Sequence, residues 1–281
     1  MPLTSVVQYF NEHLADLHPR REVKEQANFQ FTDGRVSAHF AGFRLMPRQV
    51  PVLARATGKL FAWSAKLLAE SDRGQPVIPE TLYVHAWDSD DVVFLDRFLR
   101  SLHALHHLSL GDERDGLLAM DVHLRHVAAL PEQHGQVFET LLRRLGLAPH
   151  QVVLRLSGTA LEHDPHVRAA AANFSRRGYR LLALRPHVGD TDWELLRAIG
   201  IAWVTPDIAA LRTAAQQTPS GDWVRRAQAH GIGLWLDGIG CQAAITRAHS
   251  LGADLIEGVL CESVYGPVTA AWFDRRTTDS L

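Results

Sequence analysis

Short apolar runs and amphipathic segments alternate along the chain from about residue 90 onward. The amphipathic segments predict helices over 91–108, 136–145, 166–177, 192–198, 223–230 and 243–251. The apolar runs predict strands over 117–122, 152–156, 180–184, 202–204, 233–236 and 255–256. Glycines follow most of these helices, where a chain commonly leaves a helix in a left-handed conformation. The repeated alternation predicts an α/β fold, most simply a closed TIM-like (β/α)8 barrel.

A doubly wound open sheet is the alternative arrangement for the same alternation. That fold would favour a glycine-rich turn after its first strand, and the sequence contains no G-x-G-x-x-G. The first ninety residues follow a different pattern, which predicts a helix over 5–17, a hairpin over 27–44 around Asp33-Gly34, and a helix over 49–70. We therefore divide the chain into an N-terminal helical extension (1–25) and a barrel domain (26–281), with a poorly fitting helical segment at about 45–76.

Composition excludes several classes of protein. The 281 residues are 46% apolar and 21% charged, which is typical of a folded globular chain. The formal net charge of −2 gives no overall basic field, so we expect no direct nucleic-acid binding. No apolar run approaches the length of a membrane span, and the first residues lack the basic start of a signal peptide. We expect a cytoplasmic protein that does not bind membranes.

The sixteen histidines form clusters at helical spacing, such as His103, His106 and His107, or His123 and His126. None of these clusters matches a zinc-binding pattern such as H-E-x-x-H, and no cysteine accompanies them. We therefore expect solvated surface histidines rather than a metal site.

In a barrel of this kind, ligands bind at the carboxyl ends of the strands, which we call the mouth. The predicted strand ends carry the segment from Phe40 to Arg44, and then Asp121, Arg155, Arg185, Thr205 to Asp207, Asp237 and Glu257. A hydrolytic metal site needs several oxygen or imidazole ligands. Arginine has no free lone pair for a metal ion, so these residues predict a mouth poor in metal ligands.

The order of these segments resembles the EAL family, the cyclic di-GMP phosphodiesterases with a TIM-like barrel. The first motif of the family, V-E-A-L-x-R, is matched to His39-Phe40-Ala41-Gly42-Phe43-Arg44, and the V-N-L-S strand to Met120-Asp121-Val122-His123. The L-E-I-T-E, D-D-F-G-T-G and K-I-D motifs are matched to Leu154-Arg155-Leu156-Ser157-Gly158, Arg185-Pro186-His187-Val188-Gly189-Asp190 and Val204-Thr205-Pro206-Asp207. The A-E-G-V-E strand and the closing Q-G segment are matched to Leu236-Asp237-Gly238-Ile239-Gly240 and Leu251 through Val259. The resemblance covers about residues 26–268.

The resemblance implies that five positions of the family hold two divalent cations. In this chain those positions are Phe40, Asp121, Arg155, Arg185 and Asp237, of which three cannot ligate a metal. The second aspartate of the D-D pair is replaced by Pro186, the lysine of K-I-D by Thr205, and the glutamine of Q-G by Glu257. Arg44 and Gln26 match family positions that contact the dinucleotide. Arg155 and Arg185 add positive charge that suits phosphate.

These replacements predict a non-catalytic, degenerate EAL protein with no metal or other cofactor. We expect a regulatory or signalling role through contact with a protein partner, as in degenerate relatives from bacterial signalling, and a homodimer is compatible with this reading. One alternative is a cyclic di-GMP phosphodiesterase with weak or altered activity. Another is a receptor that binds cyclic di-GMP without cleaving it, although we expect the nucleotide to bind weakly or not at all.

The charged residues at the mouth predict how the barrel tolerates the loss of metal. Three arginines, Arg44, Arg155 and Arg185, face three acids, Asp121, Asp237 and Glu257. We expect these six side chains to form a network of ion pairs and hydrogen bonds, with Phe40 and Pro186 covering one wall.

Overall fold

The computed structural model describes residues 3–18, 27–111, 115–129, 136–189, 191–210 and 220–261. The strands are β1 (Asn28–Thr32), β2 (Arg35–Phe40), β3 (Phe43–Ala54), β4 (Leu60–Ser71), β5 (Pro76–Val77), β6 (Leu117–Asp121), β7 (Val152–Ser157), β8 (Arg180–Leu184), β9 (Ile201–Thr205), β10 (Gly233–Leu236) and β11 (Leu255–Glu257). The α-helices are α1 (Leu3–Glu12), α2 (Ser89–Ser109), α3 (Leu124–Ala129), α4 (Gln136–Arg144), α5 (Gly158–His163), α6 (Pro165–Arg176), α7 (Trp193–Ala198), α8 (Ser220–Ala229) and α9 (Gln242–Ser250). Short 3-10 helices cover Leu14–Leu17, Pro79–His85 and Pro149–Gln151.

Eight of these strands close into a barrel. The strands β4 and β6 to β11 pair in parallel in chain order, and β3 closes the ring by pairing antiparallel with both β11 and β4. The predicted TIM-like barrel is therefore confirmed, with one strand reversed. Within the described residues no helix has the length and apolar character needed to cross a membrane.

The predicted helix over 49–70, and with it the helical segment at about 45–76, is wrong. Residues 43–54 and 60–71 are the long strands β3 and β4, joined by a turn at Gly58, which has a φ of 65°. Both faces of these strands are largely buried, so the sequence lacks the simple alternation of a half-exposed strand and imitates a helix. Pro47 and Pro51 are the local signals against a helix, because proline in a helix interior removes a hydrogen bond and clashes with the preceding turn.

The β3–β4 hairpin continues beyond the mouth. The pairing of β4 with β6 involves residues 62–64, whereas the hairpin itself extends to the pair Phe43 and Ser71. The strands β2 and β5 join this projecting part on its two edges, and β1 pairs with β2. The predicted hairpin at Asp33-Gly34 is confirmed, and both of its turn residues have positive φ, as a tight hairpin turn requires.

The N-terminal helix and the β1–β2 hairpin pack outside the barrel. The Asn11 side chain of α1 both donates to and accepts from the backbone of Phe29, at 2.8 and 2.7 Å. Phe29 in turn stacks on Phe98 of α2, with ring centroids 4.4 Å apart. The boundary predicted at residue 25 stays a prediction, because residues 19–26 lie outside the described ranges.

A small apolar cluster fills the barrel interior, separate from the larger core between the sheet and the helices. Its buried members are Val52, Ala62, Ala119, Val153, Leu182, Trp235 and Leu255. Small residues on β4 and β6 leave room for the indole of Trp235. The polar side chains at the mouth therefore lie above an apolar interior.

Candidate functional site

A buried arginine occupies the centre of the mouth. Arg155 lies on β7 with 4% of its surface exposed. Its Nε donates to Asp121 Oδ1 at 2.7 Å, its Nη1 to Ser64 Oγ at 2.5 Å, and its Nη2 to the carbonyl oxygen of Ala65 at 3.1 Å. These acceptors come from the two strands on one side of β7, so the guanidinium ties β4, β6 and β7 together.

Glu257, at the end of β11, is the buried acid beside this guanidinium. Its Oε1 lies 2.7 Å from Lys66 Nζ, and its Oε2 accepts a hydrogen bond from Trp235 Nε1 at 3.0 Å. Arg155 Nη1 lies 3.8 Å from the same Oε2 atom. The carboxylate of Glu257 thus faces two cations and one indole donor, which is the arrangement a buried charge requires. We call Ser64, Lys66, Asp121, Arg155, Trp235 and Glu257 the mouth network.

The pKa shifts show that the mouth network favours charged groups. Burial alone would lower the pKa of Arg155, but Asp121 and Glu257 outweigh it and raise that pKa above its ordinary value. Burial likewise raises the pKa of Glu257, yet Arg155 and Lys66 outweigh it and bring the pKa below its ordinary value. At neutral pH the network is therefore a set of compensating charges.

Asp237 behaves differently from Glu257. It is half-buried at the end of β10, and burial followed by the charge of Glu257 raises the pKa of its carboxyl group. Lys66, Arg185 and Arg155 act in the opposite direction and do not cancel this shift.

The segment after β8 forms the opposite wall of the mouth. Arg185 is exposed and has a φ of 50°, and its backbone N–H donates to the carbonyl oxygen of Thr205 at 2.6 Å. Thr205 and Pro186 are both buried. A Cβ added at Gly158 would lie 2.5 Å from the backbone nitrogen of Pro186, so this part of the chain is packed directly against the start of α5.

A cavity of about 330 Å³ opens beside the mouth network. It is lined by residues that follow β8, β9 and β10 and by one face of α9, namely Arg185, Pro206, Asp207, Ile208, Ala209, Leu236, Asp237, Gly238, Ile239, Ala244 and Arg247. We call this space the side cavity. Its volume falls at the lower end of the range that small-molecule sites occupy.

The structure brings together only part of the predicted site. Asp121, Arg155 and Glu257 form ion pairs as predicted, whereas Arg185 is exposed and forms no ion pair with another described residue. Gln26 lies outside the described residues. Within the described ranges, three of the six expected residues, Asp121, Arg155 and Glu257, therefore form the network. Lys66 and Ser64, which the sequence analysis missed, complete it.

The placement of Phe40 and Arg44 at the mouth is wrong. Phe40 ends β2, which pairs with β1 and β3 outside the ring, and its ring packs against Phe94 and Phe98 of α2. It therefore does not cover a wall of the mouth. Arg44 lies opposite Glu70 on the projecting part of the β3–β4 hairpin, past the last pairing of β4 with β6.

The barrel strand that precedes β6 in the ring is β4, and it delivers Ser64, Ala65 and Lys66 to the mouth. The sequence analysis placed the first strand of the mouth at Phe40 to Arg44, whereas the strand that precedes β6 in the ring is β4. Ser64 and Lys66, rather than Phe40, therefore lie at the mouth beside Arg155 and Glu257.

Two divalent cations, which the resemblance implies, do not fit these residues. The centre of the mouth holds the guanidinium of Arg155, and the ammonium of Lys66 neutralises Glu257. Neither group can ligate a metal ion, and both repel one. In the described part of the chain, no three His, Cys, Asp or Glu side chains come together as a metal-binding group.

The predicted surface histidines are partly wrong. His107 and His126 are buried, and His126 Nδ1 lies 3.3 Å from Asp96 Oδ2 beneath α2. Burial lowers the pKa of His103 to about 3, with a further contribution from His106, and burial lowers the pKa of His106 to about 4. These two rings are therefore neutral in the folded protein at neutral pH.

An exposed apolar surface flanks the mouth on another side. Ile78, Val84 and Trp87 are 70%, 75% and 87% exposed around the 3-10 helix Pro79–His85. Leu124 at the start of α3 adds to them, because the neighbouring Arg125 donates to carbonyl oxygens of this segment at 3.0 and 3.2 Å. We call Ile78, Val84, Trp87 and Leu124 the rim patch.

Comparison with known proteins identifies the fold through structure alone. No family model matches the sequence, and no curated protein matches it. The solved structure of the PaMucR phosphodiesterase in complex with c-di-GMP aligns with a TM-score of 0.64 and 16% identity over 77% of this chain and 90% of that one. The Klebsiella pneumoniae BlrP1 manganese/cy-diGMP complex aligns with a TM-score of 0.63 and 16% identity over 92% of this chain and 66% of that one.

The EAL enzyme Bd1971 in its cGMP-bound form aligns with a TM-score of 0.59 and 15% identity over 77% of this chain. The match spans 62% of the length of Bd1971. Identities this low establish a shared architecture rather than a shared activity. The closed barrel with one reversed strand is therefore the EAL-type barrel of these phosphodiesterases.

Proposed function

We propose that this chain is a non-catalytic EAL-type protein that acts in signalling through contact with a protein partner. The observation that carries the first half of the proposal is the buried guanidinium of Arg155, hydrogen-bonded to Ser64 and Asp121 at the centre of the mouth. A two-metal mechanism needs both cations to activate water and to stabilise the leaving oxygen. A fixed protein cation in that position provides charge but no exchangeable water ligand.

The energetics of the mouth network support the same conclusion. A metal ion could enter only after Arg155 leaves its three hydrogen-bond acceptors and Lys66 leaves Glu257. Displacing Arg155 from the buried carboxylate of Glu257 costs roughly 3–5 kcal/mol, and the displaced cations would still repel the metal nearby. The network therefore stabilises the mouth in the form without metal.

A direct assay tests the absence of catalysis. The purified protein is incubated with cyclic di-GMP and Mg²⁺ or Mn²⁺, and the linear dinucleotide is separated by chromatography. The PaMucR phosphodiesterase serves as the active control. We expect no product above the buffer background, and metal-dependent product would instead support the weak phosphodiesterase alternative.

The receptor alternative is favoured by one observation, the exposed guanidinium of Arg185 beside the mouth. Arginine binds phosphate well, but two carboxylates, Asp121 and Asp237, lie at the same surface and oppose a dianionic ligand. We therefore expect cyclic di-GMP to bind weakly or not at all in a calorimetric titration. A dissociation constant in the low micromolar range would favour the receptor over the non-binding form.

The rim patch supports the second half of the proposal. Three large apolar side chains exposed within ten residues, beside a fourth on α3, form the kind of surface that commonly binds another protein. Trp87 is 87% exposed, and tryptophan is among the residues that contribute most to binding energy at interfaces.

Affinity purification from the source cell tests this contact, with and without added cyclic di-GMP. The parent is compared with the triple variant Ile78→Ser/Val84→Ser/Trp87→Ser and with Val259→Ser. Val259 is the matched control, because it is 69% exposed and lies outside the rim patch. We expect a partner that the parent and Val259→Ser retain and the triple variant loses. Equal retention by all three proteins would contradict the assignment of the surface.

A further inference from the structure

The side cavity combines an apolar floor with charged walls. Leu236 and Ile239 are buried beneath it, and Pro206, Ile208 and Ala244 complete an apolar surface. The cavity lies off the barrel axis, between the segments that follow β8 to β10 and the helix α9. No member of the mouth network lines the cavity, so a ligand there would leave Arg155 and its partners in place.

Each of the two carboxylates of the side cavity has hydrogen-bond donors or cations near it. Asp207 accepts hydrogen bonds through Oδ1 from the backbone N–H groups of Ala209 and Ala210, at 2.8 and 3.1 Å. Asp237 lies within the electrostatic influence of Lys66 and Arg155 as well as Arg185. Asp237 still opposes an anion, so binding depends on whether the two arginines of the cavity outweigh it.

The two arginines of the side cavity are not compensated in the same way. Among the residues that the structure describes, no carboxylate forms an ion pair with Arg185 or Arg247. Both side chains are exposed and line the same cavity, one from the segment after β8 and one from α9. Two arginines that line one cavity with an apolar floor match a ligand with an anionic group and an apolar body.

The backbone at Arg185 is held in place where its side chain begins. A φ of 50° is unfavourable for a residue with a Cβ, and it persists where the surroundings hold it in place. Here the N–H of Arg185 donates to Thr205, its carbonyl oxygen accepts from Thr159 Oγ1 at 3.4 Å, and the next residue is the buried Pro186. Residues held in sparsely populated backbone conformations cluster at active sites and ligand clamps.

We propose that the side cavity is a binding site for a small organic anion, a phosphate monoester or a carboxylate with an apolar body, held by Arg185 and Arg247. The apolar body would cover Leu236 and Ile239, and the anionic group would bridge the two guanidinium groups. This inference does not depend on the absence of hydrolysis, because it concerns a cavity beside the mouth network rather than its centre.

Ligand-observed NMR titrations of the full chain test the site with three probes of one size. Phenyl phosphate and benzoate carry the two candidate anions, and benzylamine carries a cation on the same ring. We expect at least one of the anions to bind with a dissociation constant in the millimolar range or below and benzylamine not to bind. The anion with the lower dissociation constant identifies the class of ligand.

Arginine variants locate the binding. Arg247→Ala should weaken the bound anion by about tenfold or more, since a charge-assisted hydrogen bond is lost. Arg226→Ala, an exposed arginine of α8 outside the cavity, is the matched control and should leave binding unchanged. Arg247 is exposed, so its loss should leave the fold intact, which circular dichroism checks.

Three results would overturn the proposal. The first is that neither anion binds at 10 mM, which is about the weakest affinity that such a site would have. The second is that benzylamine binds more tightly than both anions. The third is that Arg247→Ala and Arg226→Ala weaken anion binding equally. Arg185→Lys provides an independent check, because it keeps the charge but loses the planar fork. It should weaken the anion less than Arg247→Ala does.

Discussion

Replacing Arg155 by glutamate tests whether the ion pairs of the mouth network are buried or solvated. The variant Arg155→Glu removes the cation that faces Asp121 and Glu257 and places a third carboxylate beside them. Ser64 and the carbonyl oxygen of Ala65 also lose their donors. The opposite wall of the mouth offers a matched control, Arg185→Asp, which makes the same change of charge at an exposed side chain.

The magnitude follows from how exposed each partner is. The side chain of Asp121 is 64% exposed, so its ion pair with Arg155 contributes under about 1 kcal/mol. The side chain of Glu257 is 3% exposed, and loss of a buried partner costs roughly 3–5 kcal/mol. Lys66 still compensates Glu257, which places the expected loss of unfolding free energy at about 4 kcal/mol. For a chain of this size that corresponds to a decrease in melting temperature of about 8–16 °C.

Thermal melts followed by circular dichroism measure the difference, with and without Mg²⁺. Arg185→Asp should change the stability by under about 1 kcal/mol, since its side chain is exposed and aspartate tolerates a positive φ. Arg155→Met, which removes the charge without adding another, should lie between the two. Equal melting temperatures for Arg155→Glu, Arg185→Asp and the parent would refute the reasoning. A rise with Mg²⁺ in Arg155→Glu would show that the mouth still accepts a metal ion.

Two further predictions concern other parts of the fold. The pKa values of His103 and His106 are lowered to about 3 and about 4 in the folded protein, against about 6.5 in the unfolded chain. The folded state therefore gains stability from the neutral rings above about pH 6.5, and this gain is lost progressively as the pH falls below that value. Between neutral pH and pH 5, urea unfolding should show that the free energy of unfolding falls by about 2 kcal/mol for each ring. The double variant His103→Gln/His106→Gln should not show this decrease. Gly158→Ala should lower the unfolding free energy by more than about 2 kcal/mol, because the new Cβ would lie 2.5 Å from the backbone of Pro186. Gly34→Ala, whose Cβ would meet nothing within 4 Å, should cost about 1 kcal/mol from its positive φ alone, and a smaller loss in Gly158→Ala than in this control would contradict the packing argument.

The parallel part of the barrel could be predicted from sequence because its signals are local. The strand bounds 180–184 and 233–236 agree with β8 and β10, and the glycines at positions such as Gly178 and Gly231 have the positive φ expected after a helix. The reversed part could not be predicted in the same way. The strands β3 and β4 are covered on both faces by elements distant in the chain, so tertiary packing hides the period of two that marks a strand.

The same error accounts for what the sequence missed at the site. The pairing of Arg155 with Asp121 could be predicted, because both residues end neighbouring parallel strands. Ser64 and Lys66 could not be found while their segment was assigned to a helix, and the first motif was then placed on the outer strand that ends at Phe40. The sequence does not indicate that Trp87 is exposed, because an isolated tryptophan in a loop can lie in the core as readily as on the surface.

The antiparallel pairing of β3 with β11 has a consequence for the order of folding. It joins Val52, Leu53 and Ala54 to Glu257, Ile256 and Leu255, so a loop of about 200 residues must close before this pairing forms. Contacts of such long range slow folding, and until they form, β3 and β10 each present an unpaired strand edge on which intermolecular strand pairing can begin. During synthesis the ring therefore stays open until residue 257 has left the ribosome. A strand of three residues then completes the barrel and removes both edges at once.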